Sequence, residues 1–265
     1  MKTSRTLASI YIPSKGRADN CLTANLLLKE GVEFNIVVEP TDFPLYAAKY
    51  GERRLVMLDK CNGGLGYARN WCKKTSIERG EKFHWQLDDD VKSFRVRENG
   101  RNIHSNANVC LGDAEQYAFK FSNIGTAGLT HMMFAWTYKR SIVCNRQCCS
   151  VVLVNNAVPV SWRSGVIEDT DYALQLLFRG ARKTSTPEPR WCTLTFCKLI
   201  YDPMATNSMK GGCTEIQHAN GGRARTCIAT QRLWPNVLKL KNQYGSIRLA
   251  ASRVWSKFPQ RPTKA

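Results

Sequence analysis

Phe83-His84-Trp85-Gln86-Leu87-Asp88-Asp89-Asp90 is the stretch on which the fold turns. An apolar, β-prone run ends abruptly in three adjacent carboxylates. Like charges this close repel, and a folded site tolerates them best when a cation lies among them. Mg²⁺ and Mn²⁺ are hard cations that bridge protein carboxylates to phosphate oxygens. In open α/β sheets, ligands bind beyond the carboxyl ends of the strands. An acidic cluster there suggests a metal–diphosphate site. A solvated turn after a strand would carry the same residues, so the triplet has to be read with its surroundings.

Upstream, the chain alternates strand and helix. Residues 7–12 read as a buried strand and Pro13-Ser14-Lys15-Gly16-Arg17 as a turn. Asp19 or Asn20 is placed to cap a helix running to Glu30, with Gly31 behind it. Residues 34–38 form a second strand closed by Glu39-Pro40, and Asp42 heads a short helix stopped by Gly51. Residues 54–58 are a third strand. Gly63-Gly64-Leu65-Gly66 leads into a helix over about 67–79, and 83–87 is a fourth strand. This spacing predicts βαβ units: an α/β fold, Rossmann-like, with a mostly parallel central sheet flanked by helices.

Downstream the alternation is less regular. Residues 113–121 and 168–178 have helical spacing, 129–136, 141–144 and 151–154 read as strands, and 191–201 alternates like an exposed strand. The Gly-rich stretch 209–225 reads as a loop. With no repeat or linker, the expectation is one domain: residues 1–100 binding a nucleotide, 101–265 an acceptor.

Composition narrows the possibilities. The 265 residues are 43% hydrophobic, as an ordinary globular core requires. No run of apolar residues is long enough for a membrane span, and the N-terminus lacks the pattern of a signal peptide, so a cytoplasmic monomer is expected. There are 11 cysteines but no C-x-x-C pair, which argues against a zinc ribbon; Cys144, Cys148 and Cys149 read as buried thiols. His84 reads as structural and His131 as a strand residue near the cleft. The net charge is +18, and no acidic residue follows Glu215. Arg223, Arg225, Arg232, Lys239 and Lys241 lie in that last segment, interleaved with Trp234, Tyr244, Trp255 and Phe258. Basic side chains neutralise phosphates and aromatic faces can stack on unpaired bases, so the segment points to a polyanion partner. A generic solubilising surface would have the same composition.

Four features fall at the ends of the front strands: the turn 13–17, Glu39-Pro40, Gly63-Gly64-Leu65-Gly66-Tyr67-Ala68-Arg69-Asn70 and the aspartate triplet. In a parallel sheet these ends share one edge and can converge. Glu39 could accept hydrogen bonds from a base or ribose. Arg17 and Arg69 suit a diphosphate. The glycines permit close backbone approach, although the segment is neither G-x-G-x-x-G nor a Walker A loop.

The segments Ile10-Tyr11-Ile12-Pro13-Ser14-Lys15-Gly16-Arg17, Val37-Val38-Glu39-Pro40, Gly66-Tyr67-Ala68-Arg69-Asn70 and Trp85-Gln86-Leu87-Asp88-Asp89-Asp90 resemble a GT-A glycosyltransferase. More narrowly, they resemble the phage-type TET-associated glycosyltransferases, which are associated with sugar transfer to hydroxymethylated pyrimidines in DNA. Residues 1–100 carry the likeness. It implies a UDP-sugar donor, with Pro13, Ser14, Arg17 and Glu39 at the uridine end and Arg69 near the nucleotide or its phosphates. Asp88, Asp89 and Asp90 would be the D-x-D motif, Asp90 contacting Mn²⁺ or Mg²⁺ and Asp88 nearer the ribose or sugar. Glu168-Asp169-Thr170-Asp171 would open an acceptor-side helix, with Asp169 the candidate base and Glu168 second. By themselves, acidic residues at a helix start also serve capping and the macrodipole. Lys210 would approach the diphosphate and His218 would complete the metal shell.

The leading expectation is therefore metal-dependent transfer from a UDP-sugar to the hydroxymethyl group of 5-hydroxymethylcytosine or 5-hydroxymethyluracil in phage DNA, or to a sugar already on it. Two alternatives compete. One is GT-A chemistry on a protein or glycan. The other is a non-enzymatic nucleic-acid-binding protein, which leaves three aspartates in a basic chain without a purpose.

Overall fold

A computed structural model of the chain describes residues 6–179, 190–204, 221–243, 245–251 and 253–265. The front strands are β1 (Ser9–Pro13), β2 (Asn35–Val38), β3 (Leu55–Met57) and β4 (Phe83–Leu87). They pair in parallel in the order β3-β2-β1-β4. The helices α1 (Leu22–Lys29), α2 (Phe43–Tyr50) and α3 (Gly64–Glu78) connect them. The predicted alternation is observed, and parallel pairing puts all four carboxyl ends on one edge.

Beyond β4 the sheet is mixed. β5 (Val91–Glu98) and β6 (Arg101–Ser105) form a hairpin at the far edge, turning at Asn99 and Gly100, both at positive φ. Such an Asn-Gly pair suits a tight two-residue turn. Helix α4 (Ala107–Ala118) follows, then β7 (Ile124–His131), β8 (Ile142–Cys144), β9 (Val151–Asn155), α5 (Glu168–Arg179) and β10 (Cys192–Pro203). The full order is β3-β2-β1-β4-β9-β7-β10-β5-β6, with β8 also on β10. β9 is antiparallel to β4 and β7, and β10 is parallel to β7. One sheet thus holds both halves of the chain. Helix α6 (Gly222–Leu233) packs on the hairpin of β11 (Lys239–Gln243) and β12 (Ser246–Ala250).

The two faces of β9 feed two apolar cores, as the period of a strand requires. Val151 and Leu153 join Ile12, Trp85 and Leu111 on one side; Val152 and Val154 join Tyr172, Leu176 and Phe258 on the other. Asn145 and Asn123 tie the C-terminal chain to the sheet through the carbonyls of Phe258, Gln260 and Arg261.

The structure corrects several expected elements. β10 is buried, not exposed: Thr193 and Thr195, which supplied the apparent alternation, lie inside. Thr193 Oγ1 accepts from Arg146 N at 2.8 Å, so its hydroxyl is satisfied without water. The strand expected over 129–136 starts at Ile124 and ends at His131, giving way to a 3-10 turn over Met132–Thr137. Helix α4 starts earlier than expected, where Asn106 Oδ1 accepts from Val109 N at 2.9 Å. The loop expected through residue 225 gives way to α6 from Gly222.

Candidate active site

The aspartate triplet follows β4 and is held from three sides. Thr23 N donates to Asp89 O (3.2 Å) and Thr23 Oγ1 donates to Asp88 O (2.5 Å). Asp88 N donates to Ser150 O (2.7 Å) and Met204 N to Asp90 O (2.8 Å). The start of α1 and the triplet therefore cap one another. This is why α1 needs no side-chain cap, and the expected caps, Asp19 and Asn20, lie in a separate 3-10 turn.

The three carboxylates have different environments. Asp89 is buried, 2.6 Å from Arg17 Nη1, and accepts from Ser14 Oγ at 2.5 Å. Ser14 in turn lies 2.7 Å from Tyr46 Oη, which also accepts from Arg17 N at 3.0 Å. Tyr46 was not foreseen: its helical spacing marks a core residue, and nothing in sequence shows where the hydroxyl points. Asp88 pairs with Arg69 Nη2 at 2.9 Å. Asp90 has a buried Oδ1 with no protein partner. Burial, then the charges of Asp88 and Asp89, push its carboxyl up to about 7 against the pull of Arg17. A buried oxygen without a donor, in a cluster already furnished with two arginines, suits a cation. Among the described residues there is no cluster of three or more protein ligands. Lys210 and His218 lie outside the described residues.

Glu39 follows β2 and spends both oxygens within the protein: Oε1 accepts from Asn62 N (2.8 Å) and Oε2 pairs with Lys15 (2.9 Å). Pro13 ends β1 opposite Val37. Arg69, expected at the nucleotide, is 1% exposed beneath Asp88. Its second carboxylate is Asp169, at 3.9 Å. Burial opposes its charge, but Asp88, Asp169 and Glu168 together hold it above its ordinary pKa.

Within the glycine segment, Gly66 is required for packing between chain segments. A Cβ on Gly66 would meet the Arg163 carbonyl oxygen at 3.0 Å. Asn70 clamps the same stretch, donating to Trp162 O (2.8 Å) and accepting from Trp162 N (2.9 Å). Gly66, Arg69 and Asn70 thus dock the chain that leads into α5 against α3. That docking sets Glu168 and Asp169 across Arg69 from Asp88. Burial, then Glu168, push the Asp169 carboxyl up to about 7, and Glu168 is raised as well, chiefly by burial. Cys149 contacts Asp169, and its thiol is pushed well up by burial and that charge. Asp171 instead accepts from Arg163, Gln175 and Trp234 at 2.8–2.9 Å and is fully buried.

Beside this cluster lies a cleft of about 1090 Å³, lined by Cys149 and Ser150 as well as His131, Phe134, Tyr138 and Tyr201. Arg146, Lys239, Lys241, Arg253 and Lys257 also line it, with no carboxylate among the described lining residues. Arg223, Arg225 and Arg232 are exposed on α6. The aromatics expected to stack on bases are otherwise engaged. Phe258 is buried in the second core, Trp255 is largely buried there but reaches the cleft wall, and Trp234 stacks on Phe178 while donating to Asp171. Tyr244 lies outside the described residues. His84 is structural, its Nδ1 2.8 Å from Asn156 Oδ1, with burial lowering its pKa to about 3. Cys148 is a buried free thiol, while Cys144 and Cys149 are partly buried.

The family description of the TET-associated glycosyltransferases matches residues 8–212, from β1 past β10. The chain belongs to this family. The TET-associated glycosyltransferase core thus spans both carboxylate clusters and Arg69 between them. Among solved structures, a protein from Desulfovibrio desulfuricans described as a nucleotide-diphospho-sugar transferase shares 9% identity, with 86% of this chain and 95% of that one covered and a TM-score of 0.43. A mannose-1-phosphate geranyltransferase from Thermus thermophilus shares 11% identity over 96% of this chain and 68% of its own, with a TM-score of 0.32. No curated protein sequence matches significantly. No helix among the described residues is long and apolar enough to cross a membrane.

Proposed function

We propose that this glycosyltransferase moves a sugar from a UDP-sugar to the hydroxymethyl group of a modified pyrimidine in DNA, with a divalent cation at Asp90. One observation carries the reading: an unpartnered buried carboxylate oxygen, on Asp90 after β4, lies two residues from Asp88, which shares Arg69 with Asp169, beside a cleft lined with cationic side chains.

When bound, Mn²⁺ or Mg²⁺ supplies Lewis-acid stabilisation of the departing diphosphate. Asp90 holds it, and Asp88 and Asp89 add negative charge while their arginines keep the cluster stable. Pro13, Ser14, Arg17 and Glu39 form the wall of the uridine end. Asp169 takes the proton from the acceptor hydroxyl as that oxygen attacks the anomeric carbon. A carboxyl at about 7 is close to the ideal for a base working at neutral pH. Arg69 is the positioning residue between the two carboxylate clusters. Lys239 and Lys241, in the cleft, and Arg223, Arg225 and Arg232, on α6, meet DNA phosphates.

The test is incubation with a panel of UDP-sugars and DNA containing 5-hydroxymethylcytosine or 5-hydroxymethyluracil, with and without Mn²⁺, read by nucleoside mass spectrometry. A glycosylated nucleoside that requires Mn²⁺ is the expected result. Mn²⁺-stimulated donor hydrolysis without any DNA product would overturn the acceptor, and no donor turnover at all would overturn the enzyme reading.

A further inference from the structure

The residues following β7 leave apolar surface exposed where it is costly. Met133, Phe134 and Trp136 are 63%, 52% and 74% exposed, within four consecutive positions. Single exposed apolar residues are ordinary, but a group of three large ones marks a contact surface. The turn that carries them is braced. Ala135 is fully buried beneath it, Met133 N donates to His131 Nδ1 at 3.0 Å, and Thr137 Oγ1 donates to Phe134 O at 2.7 Å. The His131 ring lies 5.7 Å from that of Phe134 and 5.4 Å from that of Tyr201, fixing the base of the turn. These side chains are therefore held outward by the fold.

The setting says what they meet. Lys139 and Arg140, both exposed, follow directly. Phe134, Thr137 and Tyr138 line the same cleft as Cys149 and Ser150, and Cys149 contacts Asp169. The cationic lining of that cleft favours a polyanion. A membrane or protein partner would account for the apolar side chains but not for a basic cleft leading to a carboxylate base. Base–aromatic stacking and apolar wedges between base steps are what unite exposed aromatics with phosphate-binding lysines.

Resting on the acceptor proposed above, we infer that the Met132–Thr137 turn is a wedge that enters the DNA base stack, Trp136 and Phe134 replacing the stacking of a pyrimidine extruded into the cleft. This gives the basic face aromatic rings that stand out from the surface, whereas Trp255, which reaches the cleft wall, and Phe258 are largely buried. The cleft volume is at the upper end of small-ligand sites and accommodates a nucleoside.

The experiment compares wild type with Trp136→Ala, a change at an exposed position outside the cleft lining. Sugar transfer is measured on one modified base in duplex and in single-stranded DNA. A 2-aminopurine beside the target position reports unstacking on binding, and donor hydrolysis reports the catalytic site. The expected outcome is a fall of about tenfold or more in duplex transfer, with single-stranded transfer within about twofold of wild type, as the loss of one stacked base predicts. The 2-aminopurine rise is lost and donor hydrolysis is unchanged. Unchanged duplex transfer, or equal loss on duplex and single strand, overturns the wedge. So does loss of binding to anionic vesicles with DNA behaviour intact. A wild-type enzyme that modifies neither form of DNA is a failure of the acceptor reading. The 2-aminopurine signal then decides the wedge by itself: a rise with wild type that the variant loses supports it, and no rise overturns it.

Discussion

Arg69→Met tests the link between the two carboxylate clusters. Methionine fills most of the volume, so the change removes the charge and its hydrogen bonds rather than opening a large cavity. Arg69 lies 2.9 Å from Asp88 and 3.9 Å from Asp169. At an effective dielectric of about 20, those separations correspond to attractions of about 6 and about 4 kcal/mol, most of which is offset by the desolvation of a buried guanidinium. Removing one partner of a buried pair costs about 3–5 kcal/mol. The Asp88 and Asp169 side chains are 30% and 21% exposed, and water screens part of the residual charge. The expected loss is therefore about 2–3 kcal/mol at pH 8. The sign with pH follows from Asp169, whose folded carboxyl is raised to about 7 by burial and by Glu168, and which Arg69 pulls down. A carboxyl raised on folding binds more protons in the folded state, so its stability penalty is full above the folded pKa and relieved as pH falls toward the unfolded value. Without Arg69 that penalty is larger and reaches to higher pH. The difference between variant and wild type is therefore greatest at pH 8 and shrinks by pH 5.5. Urea unfolding followed by tryptophan fluorescence at the two pH values measures it. An equal loss at both would show that Asp169 contributes nothing to it and would refute the electrostatic link between the two clusters.

Four further outcomes follow. Asp90→Ala abolishes transfer yet leaves urea stability in metal-free buffer unchanged or slightly higher, because it removes an unpartnered buried carboxylate; in wild type, Mn²⁺ affinity by titration rises with pH through about 7 as Asp90 loses its proton. Asp169→Asn lowers turnover by about 10²–10⁴-fold while leaving UDP affinity intact, and the rise of the wild-type rate toward about pH 7 disappears from the variant's profile. Gly66→Ala destabilises by about 1–3 kcal/mol in denaturant titration, since the obstacle is backbone that cannot swing aside, and it slows transfer more than it weakens donor binding. Lys239→Ala/Lys241→Ala weakens DNA binding at low salt and flattens the plot of log affinity against log salt by about 1–2 units of slope, measured by anisotropy.

The front half of the fold was legible because each of its signals is local. The apolar runs, the glycines after α1, α2 and α3, and the acidic end of β4 mark boundaries by the chemistry of a few adjacent residues. The back half was less legible because its polar residues are satisfied by distant partners. Thr193 reads as solvent-facing until Arg146 is placed beside it, and Trp234 reads as a stacking platform until its indole is seen donating to Asp171. The same holds within the site. Asp88, Asp89 and Asp90 are indistinguishable in the chain, yet two of them are matched to arginines and one has an oxygen left over.

The amino-acid sequence by itself determined the parallel βαβ front, the position of the acidic triplet at a strand end and the cationic bias of the C-terminal residues, since periodicity, strand ends and net charge are properties of neighbouring residues. Only the tertiary structure decided that Gly66 and Asn70 grip residues 162–163, that Arg69 neutralises carboxylates on both sides of the site, and that the exposed aromatics belong to the turn after β7. Those facts depend on contacts between residues far apart in the chain, and burial and charge compensation exist only once the chain has closed around them.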